Sequence, residues 1–139
     1  MAAGNIRIEI VTPEKVVVSE DAQIVMAPGA LGEFGVLIGH TPFMTALKLG
    51  TIRYVDATGK ERFVFISGGF AEALPNKVTV LAESAERRSH IDTERAKSAL
   101  QRAQERLAKE DDPTIDRERA RSAMERALHR LKIAAVRTS

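Results

Sequence analysis

A chain of 139 residues, 44% hydrophobic and 29% charged, is long enough for one domain or a small domain with an appendage, and too apolar for global disorder. The absence of cysteine excludes disulfides and thiolate metal sites, and no run of about 18 apolar residues offers a membrane span. The net charge of +2 is uneven. Residues 1–86 carry 7 Lys+Arg against 10 Asp+Glu, or −3, whereas residues 87–139 carry 14 against 9, or +5. Any anion-binding role is therefore sought in the C-terminal third. The opening "MAAGNIRIEI" has no signal-peptide pattern, so the chain is expected to be soluble, with attachment to a membrane complex left open.

The first part reads as β structure. In "IRIEIV" (6–11), Ile6, Ile8 and Ile10 alternate with Arg7 and Glu9, the period-2 pattern of a half-buried strand. Similar runs follow at "VVV" (16–18), "QIVMA" (23–27), "FGVLI" (34–38), "TIRYV" (51–55), "RFVFI" (62–66) and "KVTVLA" (77–82). Turn signals separate them at "TPE" (12–14), "APGALGE" (27–33), "DATGK" (56–60), "SGG" (67–69) and "LPNK" (74–77). "DATGK" joins two strand-like runs and is the clearest hairpin. Many short strands without an intervening helix predict an antiparallel β-sandwich or barrel-like domain.

From about residue 91 the period changes. Ala96, Ala99, Leu100, Ala103 and Leu107 mark one helix face, and Ala120, Ala123, Met124, Ala127, Leu131 and Ala134 mark a second. Between them "KEDDPTID" (109–116) holds Pro113 as breaker and Asp112 or Thr114 as cap. The prediction is an α+β chain, an N-terminal antiparallel β-sandwich (1–86) followed by a C-terminal two-helix antiparallel hairpin (87–139). The seam is mostly alanine. At about 25 cal/mol per Å² of buried apolar area, it stabilises far less than a leucine seam would. High helix propensity with weak packing suits a movable arm, and equally an ordinary static cap on the sheet.

Catalytic and metal motifs are missing. No GxxxxGK[ST] loop occurs, and His40, His90 and His129 are isolated, with no ligand spacing among them. Ser67 in "ISGGF" lacks the GxSxG frame, and the glycines beside it suit a tight turn or bulge. Asp111 and Asp112 read as a solvated acidic loop.

"GEFGVLIGHTPFMTALKLG" (32–50), "FISGGFAEALPNKVTVLAESAE" (65–86) and "IDTERA" (91–96), in this order, resemble the epsilon subunits of bacterial F-type ATP synthases, equivalent to chloroplast epsilon and mitochondrial delta subunits. The resemblance covers roughly Asn5 to Val136. It implies a ten-stranded β-sandwich and a helical hairpin in the central stalk. The sandwich would bind the gamma subunit and the c-ring, and the helices would regulate ATP hydrolysis by folding on the sandwich or reaching along gamma to the alpha–beta crown. It also implies a non-catalytic peripheral membrane protein on the cytoplasmic face of the bacterial plasma membrane, requiring no cofactor. Where the family commonly has proline after its "GELGIL"-like turn, this chain has Ile38, which leaves the loop less constrained. Glu33, toward polar c-ring loops, and His40, toward gamma, are the rotor-contact candidates. Each reads equally as a solvated turn residue.

"IDTERA" has two readings. Structurally, Asp92 is an N-cap for the N–H of Arg95, Glu94 favours the helix dipole, and Ile91 and Ala96 form a weak staple. By resemblance, [IL]-D-x-x-R-A marks the ATP-binding segment of some bacterial epsilon subunits. Ile91, Asp92, Arg95 and Ala96 match it, Glu86 lies at the preceding carboxylate position, and Arg102, Arg126 and Arg130 supply further guanidinium groups. At 100° per residue, Arg95 and Arg102 lie within about 20° of each other, and Arg126 and Arg130 are i,i+4 neighbours. A triphosphate would take charge-assisted bidentate bonds from them. ATP is thus the candidate regulatory ligand, and contact with acidic surfaces of the catalytic crown is the competing role. A nucleic-acid-binding or adaptor module is the alternative class. It fits poorly, because the basic tail is interspersed with acids and has no aromatic residue on which bases could stack.

Overall fold

The structure, a computed structural model, describes residues 4–136. The first three residues of the expected sandwich and the last three of the expected hairpin lie outside them. Nine strands come first: β1 (Ile6–Val11), β2 (Val16–Gly29), β3 (Gly32–Val36), β4 (Phe43–Leu47), β5 (Gly50–Asp56), β6 (Glu61–Ile66), β7 (Gly69–Leu74), β8 (Lys77–Ala82) and β9 (Ala85–Arg87). A 3₁₀ turn (Arg88–His90) leads to α1 (Thr93–Ala108) and α2 (Arg117–Ala134). The expected fold class is observed, with nine strands among the described residues where the resemblance implied ten.

The strands hydrogen-bond in the order β1-β8-β7-β4-β2-β5-β6-β9, with β3 on β2 and a further pairing of β1 with β2. All pairings are antiparallel except β1 with β8. The two valine-containing runs at 16–18 and 23–27 are one continuous strand. Ser19, Glu20 and Asp21, which separate those runs in sequence, lie in register with Glu9, Ile8 and Arg7 of β1. On the outer face Arg7 meets Asp21 at 3.4 Å and donates to Ser19 Oγ at 2.7 Å, while Lys77 meets Glu9 at 2.5 Å. Cross-strand polar pairs keep the strand going where composition suggests a break.

Inward residues of all the longer strands meet in one core. Ile6, Ile8 and Ile10 of β1 join Val18 and Val25 of β2, Ile52 and Tyr54 of β5, Val64 and Ile66 of β6, and Val78 and Val80 of β8. From β7 only Ala71 and Ala73 point inward, whereas Phe70 and Leu74 face outward. The core also buries Tyr54, whose hydroxyl bonds to Glu20 and accepts from Arg87 Nη1 at 3.3 Å. Burial, and then the hydrogen bond to Glu20, hold its phenol above the usual range. Arg87 also donates to Val17 O at 3.1 Å, so three-residue β9 is tied to β2 and β5 as well as paired with β6.

The "DATGK" segment does join β5 to β6. Asp56, 5% exposed, accepts from the Thr58 hydroxyl (2.6 Å), the N–H groups of Thr58 and Lys60 (both 3.0 Å) and Arg62 Nε (2.9 Å). The Thr58 hydroxyl contributes most to holding this carboxyl far below its ordinary 3.8; burial opposes the shift, and the Lys60 N–H and Arg62 reinforce it. The glycines of "SGG" serve a turn as expected, and Gly69 (φ +147°) also passes close to β8. A Cβ on Gly69 would stand 2.0 Å from Leu81 O. Ser67 receives the Ser84 N–H on its Oγ at 3.1 Å.

The chain divides into two compact units at Arg88–Ser89. The expected boundary between residues 86 and 87 falls inside β9, which is hydrogen-bonded to β6. In the second unit α1 and α2 pack together as the expected hairpin, and among their buried residues all but Ile133 are alanines: Ala96, Ala103, Ala120 and Ala127. Ala134, expected on that face, is only half-buried. The cap of α2 is Asp116, accepting from Arg119 N at 3.1 Å, rather than Asp112 or Thr114. Asp112 instead turns its carboxylate onto the Thr114 N–H and hydroxyl at 2.9 and 2.6 Å, closing the loop around Pro113.

Two outcomes follow. Gly69→Ala is expected to lower stability by more than about 2 kcal/mol, read as a shifted urea midpoint, because strain and the clash with Leu81 O add. For Asp56 the folded carboxyl titrates lower, so its contribution is complete above its unfolded value and fades as pH falls below it. The stability difference between the parent and Asp56→Asn, from urea melts, should be constant above about pH 5 and shrink below about pH 4.

Candidate functional site

The second unit carries seven of the eight nucleotide candidates, and the eighth, Glu86, belongs to the first unit, on β9, half-buried and in register with Phe65. At the start of α1, Asp92 has extended backbone (φ −82°, ψ 97°), and its Oδ1 accepts from Arg95 N at 3.0 Å. The Ala96 N–H bonds to Asp92 O at 3.0 Å. Ile91 and Ala96 are buried, while Asp92 and Arg95 are exposed. One carboxylate oxygen is thus committed to the cap, and the arginine points to solvent.

The same six-residue cassette occurs again. "IDTERA" (91–96) opens α1 and "IDRERA" (115–120) opens α2, with the same cap geometry: Asp116 at φ −80°, ψ 99°, Arg119 N on its carboxylate, and Ala120 buried. Ile, Asp, Glu and Ala recur because each helix start needs an anchor, a cap, a negative first turn and a small residue for the seam. Only the first helical position differs, Thr93 in one copy and Arg117 in the other. Comparing "IDTERA" with the start of the second helix would have exposed this repeat in the sequence.

Arg95 stands thirteen residues before the loop-side end of α1 at Ala108, and Arg130 thirteen after the start of α2 at Arg117. In an antiparallel pair that puts them at about the same height. Arg126 is four residues nearer the loop, between the heights of Arg95 and Arg102. Arg95 and Arg102 are exposed, and Arg126 and Arg130 are half-buried. Arg95, Arg102 and Arg126 make no side-chain hydrogen bond or ion pair among the described residues. His129, next to Arg130, is held below the ordinary imidazole value by burial and then by the charge of Lys132.

The rotor-contact candidates lie in the first unit. Glu33 on β3 is ion-paired with Arg53 of β5 at 3.1 Å, both half-exposed, a partner that sequence spacing did not reveal. His40 lies in the loop after β3. Its Nδ1 donates to Thr41 O at 2.7 Å, its ring meets Phe43 edge-on at 5.7 Å, and its Nε2 is buried without a partner. In the same unit, Leu31 at the β2–β3 turn is fully exposed, as are more than half of Met44, Phe70 and Leu81. Among the described residues no group of His, Asp and Glu could hold a metal ion.

Residues 5–88 match the family model "ATP synthase, Delta/Epsilon chain, beta-sandwich domain", and residues 89–135 match "ATP synthase, Delta/Epsilon chain, long alpha-helix domain". The chain belongs to the epsilon-subunit family of F-type ATP synthases. It is 66% identical over 110 residues to the ATP synthase epsilon chain of Desulfatibacillum aliphaticivorans, covering 79% of this chain and 78% of that one. It is 52% identical over 107 residues to that of Carboxydothermus hydrogenoformans, covering 77% and 79%. In fold it is similar to a chain of the Euglena gracilis mitochondrial ATP synthase OSCP/F1/c-ring structure (TM-score 0.74, 24% identity, 90% of this chain and 78% of that one). The epsilon-family sandwich and helical domains meet where the observed units divide, at 88–89.

The caps can be tested apart from any ligand. Asp92→Ala is expected to destabilise the helical unit by about 1 kcal/mol, and Asp92→Asn by much less, in thermal melts followed by helix circular dichroism without nucleotide.

Proposed function

We propose that this epsilon-family chain is a non-catalytic rotor subunit of the central stalk, whose sandwich binds the gamma subunit and the c-ring and whose hairpin regulates ATP hydrolysis. The solved Euglena assembly containing F1 and c-ring, and the Tetrahymena thermophila structure described as central stalk/c-ring (TM-score 0.56, 12% identity), support the fold on which this reading rests. Glu33, with Arg53, faces the c-ring, and the loop of His40 faces gamma. No helix among the described residues is long and apolar enough to cross a membrane, and attachment is through these partners at the cytoplasmic face of a bacterial plasma membrane. The exposed Phe70, Leu81 and Met44 give the sandwich an apolar surface for a protein partner.

Within that role we infer that ATP is the regulatory ligand of the folded hairpin. One observation carries this: Arg95, Arg102 and Arg126 are brought into one small unit and left without an anionic partner among the described residues. A bound triphosphate would remove their mutual repulsion through charge-assisted bonds. Asp92 retains an oxygen beyond the cap for such a ligand. Binding stabilises the folded hairpin by RT ln(1 + [L]/Kd), about 2.7 kcal/mol at 100 times Kd. With an alanine seam, that is enough to move the arm between its folded and extended states. ATP thereby favours the folded, non-inhibitory state.

A second reading is favoured by the repeat at Ile115–Ala120, where the same residues open a helix for which no ligand is invoked. In that reading Asp92 is only a cap, and the arginines meet acidic surfaces of the alpha–beta crown when the arm extends. Calorimetric titration of the chain with ATP separates the two, with an Arg126→Ala/Arg130→Ala variant alongside. Saturable binding lost in the variant is the expected result. No heat of binding at millimolar ATP would overturn the nucleotide reading and leave the crown contact.

A further inference from the structure

The difference between the two helix starts, Thr93 against Arg117, has a structural counterpart. By the rules of its own helix Arg117 is misplaced, because a cation at the first position faces the positive end of the α2 dipole. Its guanidinium turns away from that helix and reaches the other one. Nη1 donates to Leu107 O at 3.0 Å and Nη2 to Lys109 O at 2.5 Å. These carbonyls lie where α1 runs out. The Arg106 carbonyl is taken by Lys109 N at 3.2 Å and Lys109 O is reached by Asp112 N at 3.4 Å, but Leu107 O has no backbone donor among the described residues. Arg117 therefore satisfies an orphan acceptor and places positive charge at the negative end of α1.

Apolar packing is thin at this end of the hairpin. Ala103 and Ala120 are the buried residues nearest the loop, and Leu107 and Ile115 are only half-buried. Alanine contacts bury little area, so a two-pronged ionic hydrogen bond has large relative weight. We infer that Arg117 is a clasp between the helices: by bridging Leu107 O and Lys109 O it sets how readily α1 and α2 separate at the loop. The inference does not depend on ATP. It deepens the movable-hairpin reading by naming a contact that opening at this end must break.

The chain has no cysteine, so two can be introduced and spin-labelled selectively. Exposed Gln104 and Arg121, four residues from the loop-side ends of α1 and α2, are suitable positions. Interspin distances are then measured in the full chain carrying Arg117, Arg117→Ala or Arg117→Lys, without nucleotide. The clasp predicts one narrow distance for the parent and a second, longer population in Arg117→Ala, enriched roughly tenfold or more. Arg117→Lys keeps the charge but cannot bridge two carbonyls as a planar fork does, so it should lie close to Arg117→Ala. A narrow, unchanged distance in both variants would overturn the clasp. So would full restoration by lysine, because charge alone would then suffice. If Arg117→Ala lowers helix content in circular dichroism, Arg117→Lys carries the test, and its distances must broaden. ATP titration of Arg117→Lys keeps this outcome separate from the nucleotide reading, since loss of the clasp leaves Arg95, Arg126 and Arg130 in place.

Discussion

The sandwich depends on the continuity of β2. This strand pairs with β1 through its first half, with β3 and β5 through its second, and with β4 at Gly29. No other strand has as many partners among the described residues. It can run fourteen residues only because Ser19, Glu20 and Asp21 have partners that make extended backbone favourable. Were this segment to turn, β1 and β5 would lose their common neighbour, and the isoleucines of β1 would lose their place over Val25 and Ile52. Tyr54 and Arg87 reinforce the same stretch from the other side, through Glu20 and Val17 O. An outer charged ladder and an inner phenol thus keep one strand continuous up to the register shift between Ala22 and Ile24.

The parts of this fold that were legible in sequence are those where side-chain size and direction agree. β1 alternates with large residues inward, and "DATGK" is a turn whatever surrounds it. β7 defeats the same reasoning, because Ala71 and Ala73 go in while Phe70 and Leu74 go out. The pattern is present, but its hydrophobic weight is on the wrong face. β4 hides in a similar way, since Phe43 and Met44 are exposed. The expected cap of α2, Asp112 or Thr114, differs from the observed one because the loop holds several capping residues, and a carboxylate beside Pro-Thr can close a turn as well as start a helix. Only Asp116 stands immediately before the helical run and finds the N–H of Arg119.

Legibility of the site was uneven for a different reason. The cap role of Asp92 follows from local chain geometry, which a sequence carries in full. The partners of Glu33 and Arg117 do not: Arg53 is twenty residues from Glu33, and Arg117 acts on carbonyls across a loop. Backbone acceptors have no signature in residue type. The second "IDxxRA" was visible in the letters, yet its meaning changes once the geometry is known. A motif that appears twice with one cap geometry has a structural purpose first, and of its polar side chains it is the aspartate that is occupied in starting the helix.

The alanine seam has a consequence for alignment along the helix axes. Large side chains interlock like teeth and make sliding by a turn costly, whereas a row of methyl groups offers nearly the same surface after each shift. Ala96, Ala103, Ala120 and Ala127 therefore say little about which turn of α1 should lie beside which turn of α2. That information comes from the few larger side chains, such as buried Ile133, and from the tethered end. The Asp112 turn limits the slack of the connection, and Arg117 measures the offset by reaching two particular carbonyls. The hairpin is aligned at its bend, like a hinge with a single pin, and its long smooth faces follow.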